Sequence, residues 1–311
     1  MKRYAWFSAL TTALTFPLIG LGAIVRLKGA GLACPDWPLC YGQVTPLHEV
    51  VTPAPEGVGI ALEVGHRYVA GFVGLMVIAL LVLAFTTFRR HSSLKPLTAA
   101  AFGLLIPQAI LGGLTVIWDL APVTVSLHLL AGNLFFGSLI LLTIQSFRLA
   151  RLEEGKPAEP EGLRPTNRYR YLALGGLILA ALQIWLGGWV SGHGASLACP
   201  QFPSCNGSWI FPATPMRQLQ MGHRLIGFTL AGVIATLSVT SVRTTDLTGG
   251  LRGLGVALSA MVLTQIGLGW ANVAYYIPVP ISAAHTAMAA AIFGTLTYLV
   301  GRVWIPRPEG T

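Results

Sequence analysis

Seven long stretches of this chain contain no Asp, Glu, Lys or Arg: Tyr4 to Val25, Tyr68 to Phe88, Pro96 to Trp118, Leu120 to Phe147, Tyr171 to Met216, Leu225 to Val242 and Gly253 to Gly301. A helix crosses the hydrocarbon core of a bilayer on about 20 apolar residues. The last window has room for two spans, with a hinge at Tyr275-Tyr276-Ile277-Pro278-Val279-Pro280. The expected fold is therefore all-α and integral to a membrane, with eight helices over 5–26, 61–88, 96–118, 122–147, 170–190, 219–242, 253–275 and 281–304. A transmembrane barrel is not expected, because the windows are continuous apolar runs and not short alternating segments. With charged residues at 10% and a mean hydropathy of +0.68, a water-facing surface cannot be built over 311 residues. Disorder is excluded too, since it requires low hydrophobicity and high charge.

The basic residues give the orientation. With the N-terminus inside, Lys2, Arg3, Arg89, Arg90, Lys95, Arg148, Arg151, Lys156, Arg164, Arg168, Arg170, Arg243, Arg252, Arg302 and Arg307 fall on the inner side, 15 in all, against 5 outside (Arg26, Lys28, Arg67, Arg217, Arg224). The positive-inside rule then places both termini in the cytoplasm of a cell membrane. The net charge of +9 is a consequence of this topology and not a nucleic-acid footprint. The first span is read as a structural helix and not a cleaved signal, its 22-residue apolar window being long for that class.

The chain repeats itself. Leu32-Ala33-Cys34-Pro35-Asp36-Trp37-Pro38-Leu39-Cys40 returns as Leu197-Ala198-Cys199-Pro200-Gln201-Phe202-Pro203-Ser204-Cys205, and Glu63-Val64-Gly65-His66-Arg67 returns as Gln220-Met221-Gly222-His223-Arg224. His66 to His223, Gln108 to Gln265 and His128 to His285 share one offset of 157, and the cysteines are offset by 165. Each unit has four helices, an even number, so the repeats are parallel. The expected organisation is two parallel pseudo-symmetric four-helix bundles, 1–150 and 169–311, joined by a flexible cytoplasmic linker over 151–168 that is rich in Glu, Pro and Gly.

The duplicated histidines carry the functional reading. His66, His128, His223 and His285 are expected about five residues inside the outer ends of their helices, roughly 6–9 Å down at about 1.5 Å per residue. Two at one depth in each bundle suit axial ligation of a haem iron. The alternatives are polar residues bonding neighbouring helices and a zinc site, for which each half offers few donors. Ala70, Gly71, Gly74, Ala131, Gly132, Gly227 and Ala287 follow the histidines and would leave room for a porphyrin face, or would simply pack helices. Arg67 and Arg224 are candidates to meet haem propionates, with snorkelling to the interface as the alternative.

One asymmetry suggests an enzyme. Glu63 lies three residues before His66, on the same helix face, and its counterpart is Gln220. A site that performs chemistry often needs an acid or base, whereas one that only carries electrons does not. The alternative is that Glu63 merely favours the first turn of its helix. The cysteines lie in outer loops, which favours one disulfide per loop, Cys34–Cys40 and Cys199–Cys205. Pairing across the halves and a redox role for the first pair are the alternatives.

Taken together, the duplicated four-helix unit, Glu63-x-x-His66-Arg67, His223-Arg224, His128, His285 and the cysteine pairs resemble the haem A synthase family over nearly the whole chain. The resemblance implies oxidation of the C8 methyl of haem O, which carries a farnesyl tail, to the formyl group of haem A. Two hydroxylations would give a geminal diol that loses water. It implies His66 and His128 as substrate-haem ligands, Glu63 as the essential catalytic acidic residue, and His223 and His285 as axial ligands of a resident haem b. It further implies a haem O synthase (a farnesyltransferase), oxidase assembly factors and an electron acceptor as partners. The rivals are a di-haem cytochrome b exchanging electrons with quinone, a transporter, and a membrane thiol oxidoreductase.

Overall fold

The computed structural model describes residues 1–51, 56–159, 165–243 and 250–306. Among these the regular elements are helices: α1 (Lys2–Leu27), α2 (Leu47–Val50), α3 (Glu56–Phe85), α4 (Leu94–Ile117), α5 (Pro122–Glu153), α6 (Asn167–Gly192), α7 (Pro215–Arg243), α8 (Leu251–Ala274) and α9 (Val279–Trp304). All except α2 are long and apolar enough to cross a membrane, which makes this a multi-pass membrane protein.

Local chemistry sets the helix ends. Pro122 opens α5, where its fixed φ and missing N–H are tolerated, and Thr166 caps α6 by accepting from the Tyr169 N–H at 3.2 Å. Gly29 and Gly194 adopt left-handed φ values of 68° and 67° just past α1 and α6. Each turns the chain into a short 3-10 segment, Ala30–Leu32 and Ala195–Leu197. Asp119 and Leu120 after α4, and Tyr276 and Ile277 after α8, all have positive φ, so the two tight connections bend alike.

Several boundaries differ from the sequence-based expectation. α3 begins at Glu56 and α7 at Pro215, ahead of the expected 61 and 219, and α5 continues to Glu153 beyond the expected 147. Hydropathy registers only the lipid-embedded part of a helix, and the end of α5 is carried on by polar contacts. Glu153, for example, accepts from the N-terminal amine (2.8 Å) and Arg90 (3.1 Å) and lies 3.2 Å from His91 Nε2. The short α2 was not expected. Of the stretch read as a linker, residues 160–164 lie outside the described residues. Glu159 is buried, held by Arg148 Nε at 2.8 Å and by Arg302 at 2.5 and 3.0 Å.

The long helices pack as two closed rings. α1, α3, α4 and α5 each touch two others of their set, and α6, α7, α8 and α9 do the same. The rings meet through α1, α5, α6 and α9. At this junction Gly137 of α5 faces Phe293 and Thr297 of α9, while Gly294 of α9 faces Phe136 and Ile140 of α5. The two contact sets are the same positions exchanged between the halves. Arg26 of α1 donates to Ser191 Oγ of α6 at 2.6 Å, again a residue against its own counterpart.

Candidate functional site

Each of the four duplicated histidines lies on a glycine of the adjacent helix. A Cβ added to Gly22 (α1) would stand 3.0 Å from His66 Cε1 on α3, and one on Gly112 (α4) would stand 3.0 Å from His128 Cε1 on α5. In the second ring the distances are 3.1 Å from Gly187 (α6) to His223 on α7 and 3.2 Å from Gly269 (α8) to His285 on α9. A side chain at any of these glycines would push the imidazole away. His66 on α3 and His128 on α5 belong to the first ring, and His223 on α7 and His285 on α9 to the second. The structure thus sorts the histidines into two pairs, one in each ring.

Two of the four match the sequence-based depth and two lie further along their helices. His128 and His285 each lie six residues past their helix starts at Pro122 and Val279, about 9 Å along at about 1.5 Å per residue. α3 and α7 begin earlier than expected, so His66 and His223 lie about 15 Å and 12 Å from their helix starts at the same rise.

Three glutamines line these histidines. Gln108 Nε2 lies 3.5 Å from His128 Nε2, Gln265 Nε2 3.3 Å from His285 Nε2, and Gln183 Nε2 3.2 Å from His223 Nε2. In the sequence Gln108 and Gln265 stand out only as landmarks of the repeat, and Gln183 does not stand out. The legible signal was the recurrence of Gln108-x3-Gly112, Gln183-x3-Gly187 and Gln265-x3-Gly269, which stacks carboxamide and glycine on one helix face. The small residues after the histidines serve these glutamines in part. Gly132 lies under Gln108 (3.0 Å to Nε2) and Gly227 under Gln183 (3.1 Å), whereas Gly74 faces Leu105 and Gly71 has nothing within 4 Å.

These surroundings fit axial ligation of a porphyrin iron. Nδ1 of His66 and His223 is buried and has no hydrogen-bond partner, and the same holds for Oε1 of Gln108, Gln183 and Gln265. Such orphaned groups are unusual in a packed interior and mark sites where a further group belongs. His128 Nδ1 lies 3.1 Å from the Gln108 carbonyl oxygen, which can only accept, so Nδ1 carries the proton and Nε2, facing the Gln108 carboxamide at 3.5 Å, is the basic nitrogen. A zinc site lacks donors: no group of three or more His, Cys, Asp and Glu side chains comes together among the described residues.

Beside the histidines lie the cysteine loops. The sulfurs pair within each loop, Cys34–Cys40 and Cys199–Cys205. Arg67 and Arg224 hold these loops by their backbone. Arg67 donates to the carbonyls of Asp36 (2.9 Å) and Leu39 (2.5 Å), and Arg224 to those of Gln201 (2.5 Å), Ser204 (2.6 Å) and Cys199 (2.6 Å). Glu63 is buried beneath the first loop, and both its oxygens are engaged. Oε1 accepts from Arg67 Nη2 at 2.6 Å and Oε2 from the Cys34 N–H at 2.8 Å. Gln220 instead donates to the Ser196 carbonyl at 3.1 Å. The loops also differ at their tips. Trp37 packs on Gly113 of α4, with ring atoms 2.8–3.0 Å from where a Cβ would be, while Phe202 lies against Arg224 and Phe228.

Comparison with known proteins gives one consistent answer. The chain is 30% identical over 301 residues to a protein named Heme A synthase from Geobacillus thermodenitrificans, covering 96% of this chain and 91% of that protein. It is 29% identical over 335 residues to the Heme A synthase of Shewanella oneidensis, covering 97% of each. With the Heme A synthase of Bacillus cereus it shares 25% over 302 residues, covering 96% and 93%. Residues 5–297 match the family described as cytochrome oxidase assembly protein (COX15-CtaA). Partly buried histidines, two in each ring of membrane-crossing helices, and a match across nearly the full length agree: this chain belongs to the cytochrome oxidase assembly protein family.

Proposed function

We propose that this chain is a haem A synthase, an oxidoreductase that converts the C8 methyl of haem O to a formyl group by successive hydroxylations, supplying the cofactor of a terminal oxidase. The observation that carries this reading is the set of four imidazoles, each lying on a glycine, two in each ring. The names of the relatives and the family support it. The reciprocal α5–α9 contacts support treating the halves, 1–150 and 169–311, as parallel pseudo-symmetric bundles. The distribution of Lys and Arg supports a cell-membrane orientation with termini in the cytoplasm and cysteine loops outside.

In this reading His66 and His128 hold the substrate haem, and His223 and His285 hold a resident haem b, which supplies a place for the electrons removed from the methyl carbon. Glu63 is the acidic residue of the substrate side. Arg67 and the Cys34 N–H fix its carboxylate one turn from His66 and shield it from water, so the cysteine loop orients the group that the second half replaces with Gln220. Both arginines are occupied by loop carbonyls, so any propionate they meet shares them with that backbone. A haem O synthase as donor, oxidase assembly factors and an electron acceptor are the expected partners.

Pigment extraction from the purified protein tests the reading. Haem b together with haem O, its hydroxylated forms or haem A is expected. Haem b alone at both sites would favour the rival di-haem cytochrome b that exchanges electrons with quinone. Glu63→Gln is expected to keep both haems and to stop product formation. Normal haem A output from that variant would remove Glu63 from the chemistry.

A further inference from the structure

The two pockets differ at a position that the proposed chemistry does not use. One turn before Gly187, the glycine under His223, stands Gln183. Its Nε2 donates to the His223 carbonyl at 3.0 Å and lies 3.2 Å from His223 Nε2, and its Oε1 is buried without a partner. Gln108 and Gln265 occupy the matching places beside His128 and His285. At the fourth corner, one turn before Gly22 and its His66, the residue is Leu18. Leu18 packs on the apolar cluster of Val73, Val77, Ala101, Phe135 and Leu139 inside the first ring. Among the described residues, one glutamine therefore stands beside the histidines of the first ring and two beside those of the second.

Groups that hold a ligating imidazole in place raise metal affinity, and their removal lowers it by about 10–100-fold. Gln183 donates to the backbone carbonyl of His223 and stands beside its ring, whereas the Leu18 side chain has no donor to offer His66. We infer that Leu18 makes the first pocket an exchange site that releases its haem, and that Gln183 makes the second a retaining site. Both are positioning residues. The inference rests on the reading of two haem sites given above and deepens it, because a substrate pocket must load and unload at every turnover and a resident pocket must not. Leu and Gln are close in size, so exchanging them changes hydrogen bonding far more than volume.

The test uses the full chain in detergent with haem b in both pockets as the probe, and an excess of an apo-globin to capture what is released. Absorbance follows the transfer, and bis-imidazole electron paramagnetic resonance reports ligation. Two phases are expected, the faster belonging to the first pocket and missing in His128→Ala. Leu18→Gln should slow the faster phase about 10-fold, and Gln183→Leu should quicken the slower phase by about 10–100-fold. A folding defect cannot make release slower, so the Leu18→Gln arm stands even if Gln183→Leu is damaged. A single phase in the unaltered protein, or a fast phase that Leu18→Gln leaves unchanged or accelerates, overturns the inference. Two bound haems with unresponsive phases sink this inference alone, whereas a chain that takes up no haem at either pair sinks the reading beneath it.

Discussion

An imidazole resting on a glycine is a contact that one methyl group destroys. Gly22→Ala and Gly187→Ala place a Cβ 3.0 and 3.1 Å from the Cε1 atoms of His66 and His223. Each is expected to lower the haem content of its own pocket by about 10-fold, as a displaced ligand would, without emptying the other. Pyridine haemochrome analysis of purified protein measures this, with Gly103→Ala, where nothing lies within 4 Å, as the reference. Equal pigment loss from all three would mean that the glycines matter only for helix packing. At this scale the histidines, Glu63 and the cysteines were legible because their types are rare in membrane spans and recur at fixed offsets. Their supports were not. A glycine in an apolar helix looks the same whether it faces lipid, a neighbouring helix or an imidazole. Leu18 is conspicuous only once Gln183 is seen beside His223.

Among the elements, the cysteine loops show how one sequence pattern takes two structural roles. Each closes a disulfide over a separation of 6 residues, and each is held by an arginine one residue past a histidine. Replacing Cys199 and Cys205 by Ser releases a short loop and is expected to lower stability by about 2 kcal/mol. Thermal unfolding of the detergent-solubilised protein would show this, and an unchanged midpoint would leave the arginine contacts as the only anchor. In the first half the loop does more, because it covers Glu63 and sets Trp37 on Gly113. Gly113→Ala is expected to lift Trp37, seen as a change in tryptophan emission, while Cys34–Cys40 stays oxidised on mass analysis. The eight spans were legible from charge-free windows because the bilayer demands them. The early starts of α3 and α7 and the long end of α5 were not, because hydropathy marks only the lipid-embedded part of a helix, and the end of α5 is held by partners distant in sequence, the N-terminal amine, Arg90 and His91.

For the whole molecule, the decisive contacts lie between the halves. Arg148 on α5 and Arg302 on α9 converge on Glu159, and all three are largely buried. Arg148 also reaches the carbonyls of Gly301, Arg302 and Ile305 at 3.3 Å. Glu159→Gln would leave two buried guanidinium groups without their counter-charge, and removing one member of a buried pair is worth about 3–5 kcal/mol. A clearly lower unfolding midpoint and faster proteolysis between the halves are expected, and wild-type resistance would show that α5, α6 and α9 hold the rings together unaided. Residue order by itself determined the membrane environment, the number of spans, the duplication and the four histidines, because hydropathy and repeated spacing are properties of the chain read in a line. Only tertiary structure decided which helix supports which imidazole, where the arginines spend their hydrogen bonds, and that part of the linker is clamped between the halves. Those outcomes depend on side chains from separate helices meeting at a few ångströms, and no linear pattern encodes that distance.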